Sequence, residues 1–174
     1  ADRDARHCAR ICAHLGVPLH LVSESIESSA QNEGTSIETA GRDTRRRRFA
    51  ELCRSRSTSI VLTGHHGDDQ AETVIGNLLR GCGLRGLRGM EPLSIIESSQ
   101  ITIARPLLSI RRNQIEEYLK PLEMDGNEDL SNRSRAFRRN RIRLDLIPAL
   151  QLENPDLVSH LLGLSEEARA RWTV

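Results

Sequence analysis

One decapeptide constrains this chain more than any other stretch: Gly64-His65-His66-Gly67-Asp68-Asp69-Gln70-Ala71-Glu72-Thr73. It follows Ser59-Ile60-Val61-Leu62-Thr63, a short β-branched run that reads as a buried strand. It opens a segment with Ala71, Val74, Ile75, Leu78 and Leu79 at helical spacing, which predicts a helix to about Arg80 with one buried face. Two imidazoles and three carboxylates thus fall within eight residues at a strand-to-helix junction. In open α/β sheets ligands bind at that junction.

The flanking sequence extends the pattern. A helix is expected over 2–15 and a strand over 17–22, with a Ser-rich loop over 23–35. A second helix runs from a Thr35 or Ser36 cap to about Arg56. Beyond Arg80 the chain is glycine-rich to Met90. A strand follows at 101–104, a short helix at 110–120 and a polar loop at 121–133. A basic helix is expected over 134–150 and a last helix over 155–171. Alternating helices and strands predict an α/β fold with a parallel sheet. The chain opens on a helix, where a doubly wound sheet begins with a strand.

With 174 residues, the chain can build a real core without metal or disulfide support. Nothing in it approaches the length of a membrane-spanning run. Cys8, Cys12, Cys53 and Cys82 form no Cys-x-x-Cys pair and read as core thiols of a reducing compartment. Net charge is +1, yet arginines cluster at 42–48 and at 133–143, giving local basic patches. Aromatic residues are 2%, which disfavours a base-stacking platform.

Gly81-Cys82-Gly83-Leu84-Arg85-Gly86 matches the dinucleotide fingerprint Gly-x-Gly-x-x-Gly, but it follows a helix rather than a strand. A helix end running into a loop fits better. The His/Asp block admits three readings: a carboxylate capping the helix, a His/Asp metal-hydrolase site, or a nucleotide site whose carboxylates handle magnesium or an incoming amine. Asp69 and Glu72, three apart, and Asp68 and Glu72, four apart, can share a face. In the basic helix, Asn140 interrupts the stripe Phe137, Leu144 and Ile147. A polar group there needs partners, so Asn140 is expected to dock the helix on a loop and hold its arginines at a junction suited to phosphates.

Three ordered blocks resemble the tRNA(Ile)-lysidine synthetase family of PP-loop ATP pyrophosphatases. The first is His65-His66-x-Asp68-Asp69-Gln70-Ala71-Glu72-Thr73 with Leu78-Leu79-Arg80-Gly81-x-Gly83-Leu84-x-Gly86-Leu87-x-Gly89-Met90. The second is Arg105-Pro106-Leu107-Leu108-x-x-Arg111 with Ile115 and Tyr118. The third is Asp129-x-Ser131-Asn132 with Phe137-x-Arg139-Asn140-Arg141-Ile142-Arg143. The resemblance implies a partial doubly wound parallel sheet of the PP-loop, adenine nucleotide alpha-hydrolase-like kind over 1–150, with a helical linker over 151–174.

It also implies a cytoplasmic ligase using ATP and Mg2+. Its substrates would be L-lysine and a tRNA(Ile) with the anticodon CAU, lysidine being formed by adenylation and amine attack. Asp69, Asp68, Glu72 and His65 would be the catalytic group. Asp69 would orient the lysine ammonium, and Asp68, a possible Mg2+ ligand, or Glu72 would help hold magnesium and phosphates. His66, Arg42, Arg80, Arg105, Arg111, Asn132, Arg139, Asn140, Arg141 and Arg143 would bind ATP or tRNA. Glu38 and Arg42 match a family helix with the pattern Glu-x-x-x-Arg.

Departures accompany the match. No Ser-Gly-Gly of a PP-loop occurs, Asp129-Leu130-Ser131-Asn132 stands where Asp-Pro-Ser-Asn is usual, and Arg46 stands where an aromatic is expected. These residues are therefore expected to be part of a longer enzyme, inactive and poorly soluble alone. Another PP-loop enzyme or a non-catalytic RNA-binding remnant are the alternatives.

Overall fold

The computed structural model describes residues 2–122, 124 and 134–171. They form two compact units, one running to Val61 and taking in Ile96–Ile101, the other holding Leu62–Ile95 and the chain from Thr102.

The first unit is mainly helical. Helix α1 spans Asp2–Leu15, α2 Ile26–Glu33 and α3 Ile37–Ser55. Ser36 caps α3 by accepting from the Thr39 N–H at 3.1 Å, which satisfies one of the orphan donors of the first turn. α2 lies where a loop was expected. Ser25 caps its start and Gly34, at φ +61°, ends it in the left-handed region. Residues 17–22 form no strand, contrary to expectation. Leu21 and Val22 are exposed, since alternation makes a strand only where a neighbour completes its ladder. The cysteine expectation holds for buried Cys53. Cys8 is exposed, and Cys12 and Cys82 are half-buried.

The sheet has three strands in the order β1-β3-β2: β1 Ile60–Leu62, β2 Leu93–Ile96 and β3 Ile101–Ala104. β2 and β3 make an antiparallel hairpin, closed at its base by the Arg105 N–H donating to the Pro92 carbonyl at 2.8 Å. β1 and β3 run the same way. The Thr63 N–H donates to the Ala104 carbonyl at 2.9 Å, and the segments leaving both strands meet where the Gly67 N–H donates to the Ile110 carbonyl at 2.7 Å. The sheet is therefore mixed rather than parallel. β2 went unread because its four residues, Leu93–Ile96, are too short a run for alternation to show. β1 is an edge strand with Ile60 and Leu62 exposed, so the expected two-sided burial is absent.

The second unit's core is α4 (Gly67–Leu78) against the C-terminal helices. Ala71, Val74 and Ile75 pack with Ile142, Ile147, Val158 and Leu161. Fully burying a Val or Ile side chain stabilises by about 1.5–3 kcal/mol. Leu78 and Leu79, expected on that face, are exposed because the helix ends there and the chain turns at Gly81, φ +77°. The expected basic helix is broken into α7 (Arg138–Arg141), a π-helical stretch Ile142–Leu146 and α8 (Ile147–Glu153). Helix α9 (Leu157–Ala170) packs on α4 through Val158, Leu161 and Ser165. The apolar face of α9 thus finds its partner within the unit.

α5 (Leu84–Leu87) is a single turn in the glycine-rich segment, and α6 (Arg112–Leu119) continues into a 3-10 turn, Lys120–Leu122. One buried side chain pins the glycine-rich segment. Gln70 donates to the Arg88 and Met90 carbonyls and to Ser165 Oγ, and accepts from the Met90 N–H. Gly89 passes so close that a Cβ there would lie 2.6 Å from the Gln70 amide, and its φ is +62°.

Candidate active site

The β1–α4 junction builds the site, and every residue described in it belongs to the second unit. His66 is the N-cap of α4. Its backbone N–H donates to Asp69 Oδ2 at 3.0 Å, so the capping reading is met by the carboxylate at the third helical position. Asp69 and Glu72, three residues apart, point at the α7–π segment, which returns Arg139 and Arg143.

The four side chains form one closed set of charge-assisted hydrogen bonds. Glu72 accepts from Arg139 Nε at 2.8 Å and from both Nε and Nη2 of Arg143. Asp69 Oδ1 accepts from Arg139 Nη2 at 2.7 Å and Arg143 Nη2 at 3.1 Å. Two carboxylates offset two guanidiniums, which is how buried charge is tolerated. Burial opposes the charge on Arg143, yet its pKa is raised, because the Glu72 hydrogen bond and the charges of Glu72, Asp69 and Asp68 outweigh desolvation.

Depth divides these four. The Glu72 side chain is 2% exposed and that of Asp69 11%, against 41% for Arg139. Gly64, His65, Asp69, Arg139, Asn140 and Arg143 line a cavity of about 340 Å³. Glu72 lies behind it, so it can act only by orienting the two arginines. The guanidiniums can take an anion, and the Asp69 edge can take a cation or a proton. Thr63 Oγ1 lies 2.9 Å from His65 Nδ1 and fixes that ring at the mouth.

Asp68 faces elsewhere. It accepts from Arg111 Nε and Nη2, and from the Arg112 N–H at 2.7 Å, clamping the segment after β3 to the start of α4. Burial would raise its pKa. The Arg111 hydrogen bond, the Arg112 N–H and the charges of Arg111 and His66 instead hold the carboxyl below the usual carboxylate range. Among the described residues no group of three or more His, Cys, Asp or Glu side chains could hold a metal. Magnesium needs oxygen ligands, and the Asp68 oxygens are already committed. Asp68, the expected magnesium ligand, is held by Arg111 and the Arg112 N–H rather than turned to the cavity.

The other expected residues take separate positions. Asn140 is buried at the cavity wall and donates to the Ser134 carbonyl at 2.7 Å, docking α7 on the preceding loop. Arg141 is turned away from the cavity, with its Nη1 on the Arg135 and Ala136 carbonyls. Arg80 bonds Asn77, which donates to the Gly86 carbonyl, so it braces the glycine-rich turn. Arg105 donates to the Glu91 carbonyl and Ser94 Oγ and lines a separate cavity of about 310 Å³. His66 lies 3.5 Å from Asp69. Arg42 is on α3 in the first unit, exposed and 3.7 Å from Asp43. Asn132, with the rest of 125–133, lies outside the described residues. Gln70 and Ser165 were missed, although Gln70 carries the signal that exposed Asn140, a polar residue inside an apolar stripe.

Comparison with known proteins finds relatives over nearly the whole chain. Curated tRNA(Ile)-lysidine synthases match nearly the whole chain. That of Porphyromonas gingivalis is 38% identical over 166 residues, 95% of this chain and 36% of the relative. That of Pseudomonas aeruginosa is 38% identical over 170 residues, 97% of this chain and 36% of the relative. That of Clostridioides difficile is 30% identical over 171 residues, 98% and 36%. The chain spans about a third of the length of these curated relatives. A solved structure of the U34-tRNA thiolase NcsA from Methanococcus maripaludis with its [4Fe-4S] cluster superposes with a TM-score of 0.69 at 15% identity, over 95% of this chain and 57% of that one, a likeness of fold alone. The PP-loop domain model matches residues 1–150, and the chain belongs to that family of ATP-using domains.

Proposed function

We propose that this chain is the nucleotide-handling part of a cytoplasmic ligase that joins lysine to C2 of the wobble cytidine in a tRNA(Ile) with the anticodon CAU, forming lysidine. One observation carries the reading: Arg139, Arg143 and Asp69 share a single cavity wall, so an anion and an ammonium can be held side by side. The names of the relatives point to the same reaction.

The chemistry proceeds in two steps. The C2 oxygen attacks the α-phosphorus of ATP and pyrophosphate leaves. The lysine ε-amine then attacks C2, the C2–O bond breaks, and AMP departs with the oxygen. Arg139 and Arg143 offset the charge on the phosphoryl group, a role suited to preorganised guanidiniums. Asp69 orients the lysine ammonium and takes a proton as the amine becomes nucleophilic. Glu72 keeps both arginines aimed. Magnesium enters with the nucleotide as its counter-ion, and no protein ligand is assigned to it.

The test is transfer of labelled lysine to a tRNA(Ile) transcript by the full protein. Transfer that needs ATP and the CAU anticodon, and that is lost in Asp69→Asn, is the expected result. ATP-dependent modification without lysine incorporation would assign the chain to another reaction of its family.

A further inference from the structure

Helix α1 carries its basic residues on one side. At 3.6 residues per turn, Arg3, Arg6, His7, Arg10 and His14 fall within an arc of roughly 100°. Arg3, Arg6, Arg10 and His14 are exposed. The opposite side is small and apolar: Ala5, Cys8, Ala9 and Cys12. α3 manages its arginines differently, with Arg42 and Arg46 beside Asp43, and Arg47 and Arg48 beside Glu24. The helix carries two carboxylates, Asp2 and Asp4, against three arginines, and by helical geometry both lie off the basic row. Like charges three and four apart destabilise a helix, and Arg3 with Arg6 and Arg6 with Arg10 are such pairs. A polyanion laid along it would relieve the repulsion.

We propose that this face of α1 is a docking surface for the phosphate backbone of RNA. From Arg3 to His14 the row extends about 16 Å along the axis. That length faces several consecutive phosphates of a strand. An anionic membrane is the poorer partner: interfacial helices set Trp, Phe or Leu opposite their basic face, and here that side is mostly Ala5, Cys8, Ala9 and Cys12, with Leu15 only at the helix end. The low aromatic content likewise favours backbone contact over base stacking. The choice of RNA rests on the proposed tRNA ligase reading.

The experiment measures binding of the full protein to a tRNA(Ile) transcript across a salt series, for wild type, R3E/R6E/R10E and R3Q/R6Q/R10Q. Affinity is expected to fall in both variants. The slope of log K against log salt should drop by about 3, one for each lost phosphate contact. ATP affinity and helix content should stay unchanged. Wild-type affinity and slope in both variants would overturn the proposal while leaving the ligase reading intact. A wild-type protein that fails to bind tRNA would overturn both. Loss of adsorption to phosphatidylserine vesicles with tRNA binding retained would replace RNA by a membrane.

Discussion

Asp68, Asp69 and Glu72 stand within one and a half helical turns and do three different things. Asp68 is a clamp, Asp69 a wall of the cavity, and Glu72 a buried counter-charge. Asp68→Asn should lower stability by about 1–2 kcal/mol near neutral pH, since it removes a charge-assisted pair that is a quarter exposed. The pH dependence has a definite sign. The folded pKa is depressed, so the contribution is fully present above the unfolded value of about 3.9 and is lost as pH falls through the folded one. Urea unfolding of both proteins along a pH series should converge at the acid end. A constant gap would contradict the clamp. Glu72→Gln should cost roughly 3 kcal/mol by leaving two guanidiniums with one carboxylate, and should weaken ATP binding although the side chain never reaches the ligand. Sequence spacing placed Asp69 and Glu72 on one face, as they are; Asp68, expected to share it, faces Arg111 instead. Spacing could not divide their roles, because the dividing partners, Arg111, Arg139 and Arg143, are distant in the chain.

At the level of elements, the legible features were those with local causes. α1 and α3 are coded by period and cap. The strand expected at 17–22 and the sheet's direction depend on which neighbours arrive, and local alternation does not carry that information. α2 had its signals, Ser25 and Gly34, but serine-rich composition read as loop. The break at 142–146 was invisible for a related reason: a π-helical turn is set by packing, here of Ile142 and Ile147 on α4. The glycine-rich segment gives a sharp test. Gly89→Ala should destabilise by more than the roughly 1 kcal/mol of an ordinary glycine replacement, since it adds a close contact with Gln70 to a positive φ. Thermal melting checks this, and an unshifted Tm would mean that Gln70 moves freely.

Across the whole molecule, apolar exposure is the dominant fact. Leu15, Leu21, Val22 and Ile60 in the first unit, and Leu62, Leu93 and Ile95 in the second, are all more than half exposed. Exposed large apolar side chains in this number favour association. These 174 residues expressed alone should self-associate, and light scattering should show it; a monodisperse, cooperatively melting species would contradict that. No helix among the described residues is long and apolar enough to cross a membrane. The family was legible because its three blocks are local strings. The cavity was legible only as a set of candidates, since Arg139 and Asp69 meet by folding.

The most direct test of the central claim is calorimetric ATP binding by the full protein with Arg139→Lys. Lysine keeps the charge that Glu72 and Asp69 require but loses the planar fork. If Arg139 and Arg143 form the anion-binding wall, affinity should fall by about tenfold or more, with stability nearly unchanged. Unaltered ATP affinity would mean that the arginines only neutralise buried carboxylates, and the cavity would lose its role as the nucleotide site.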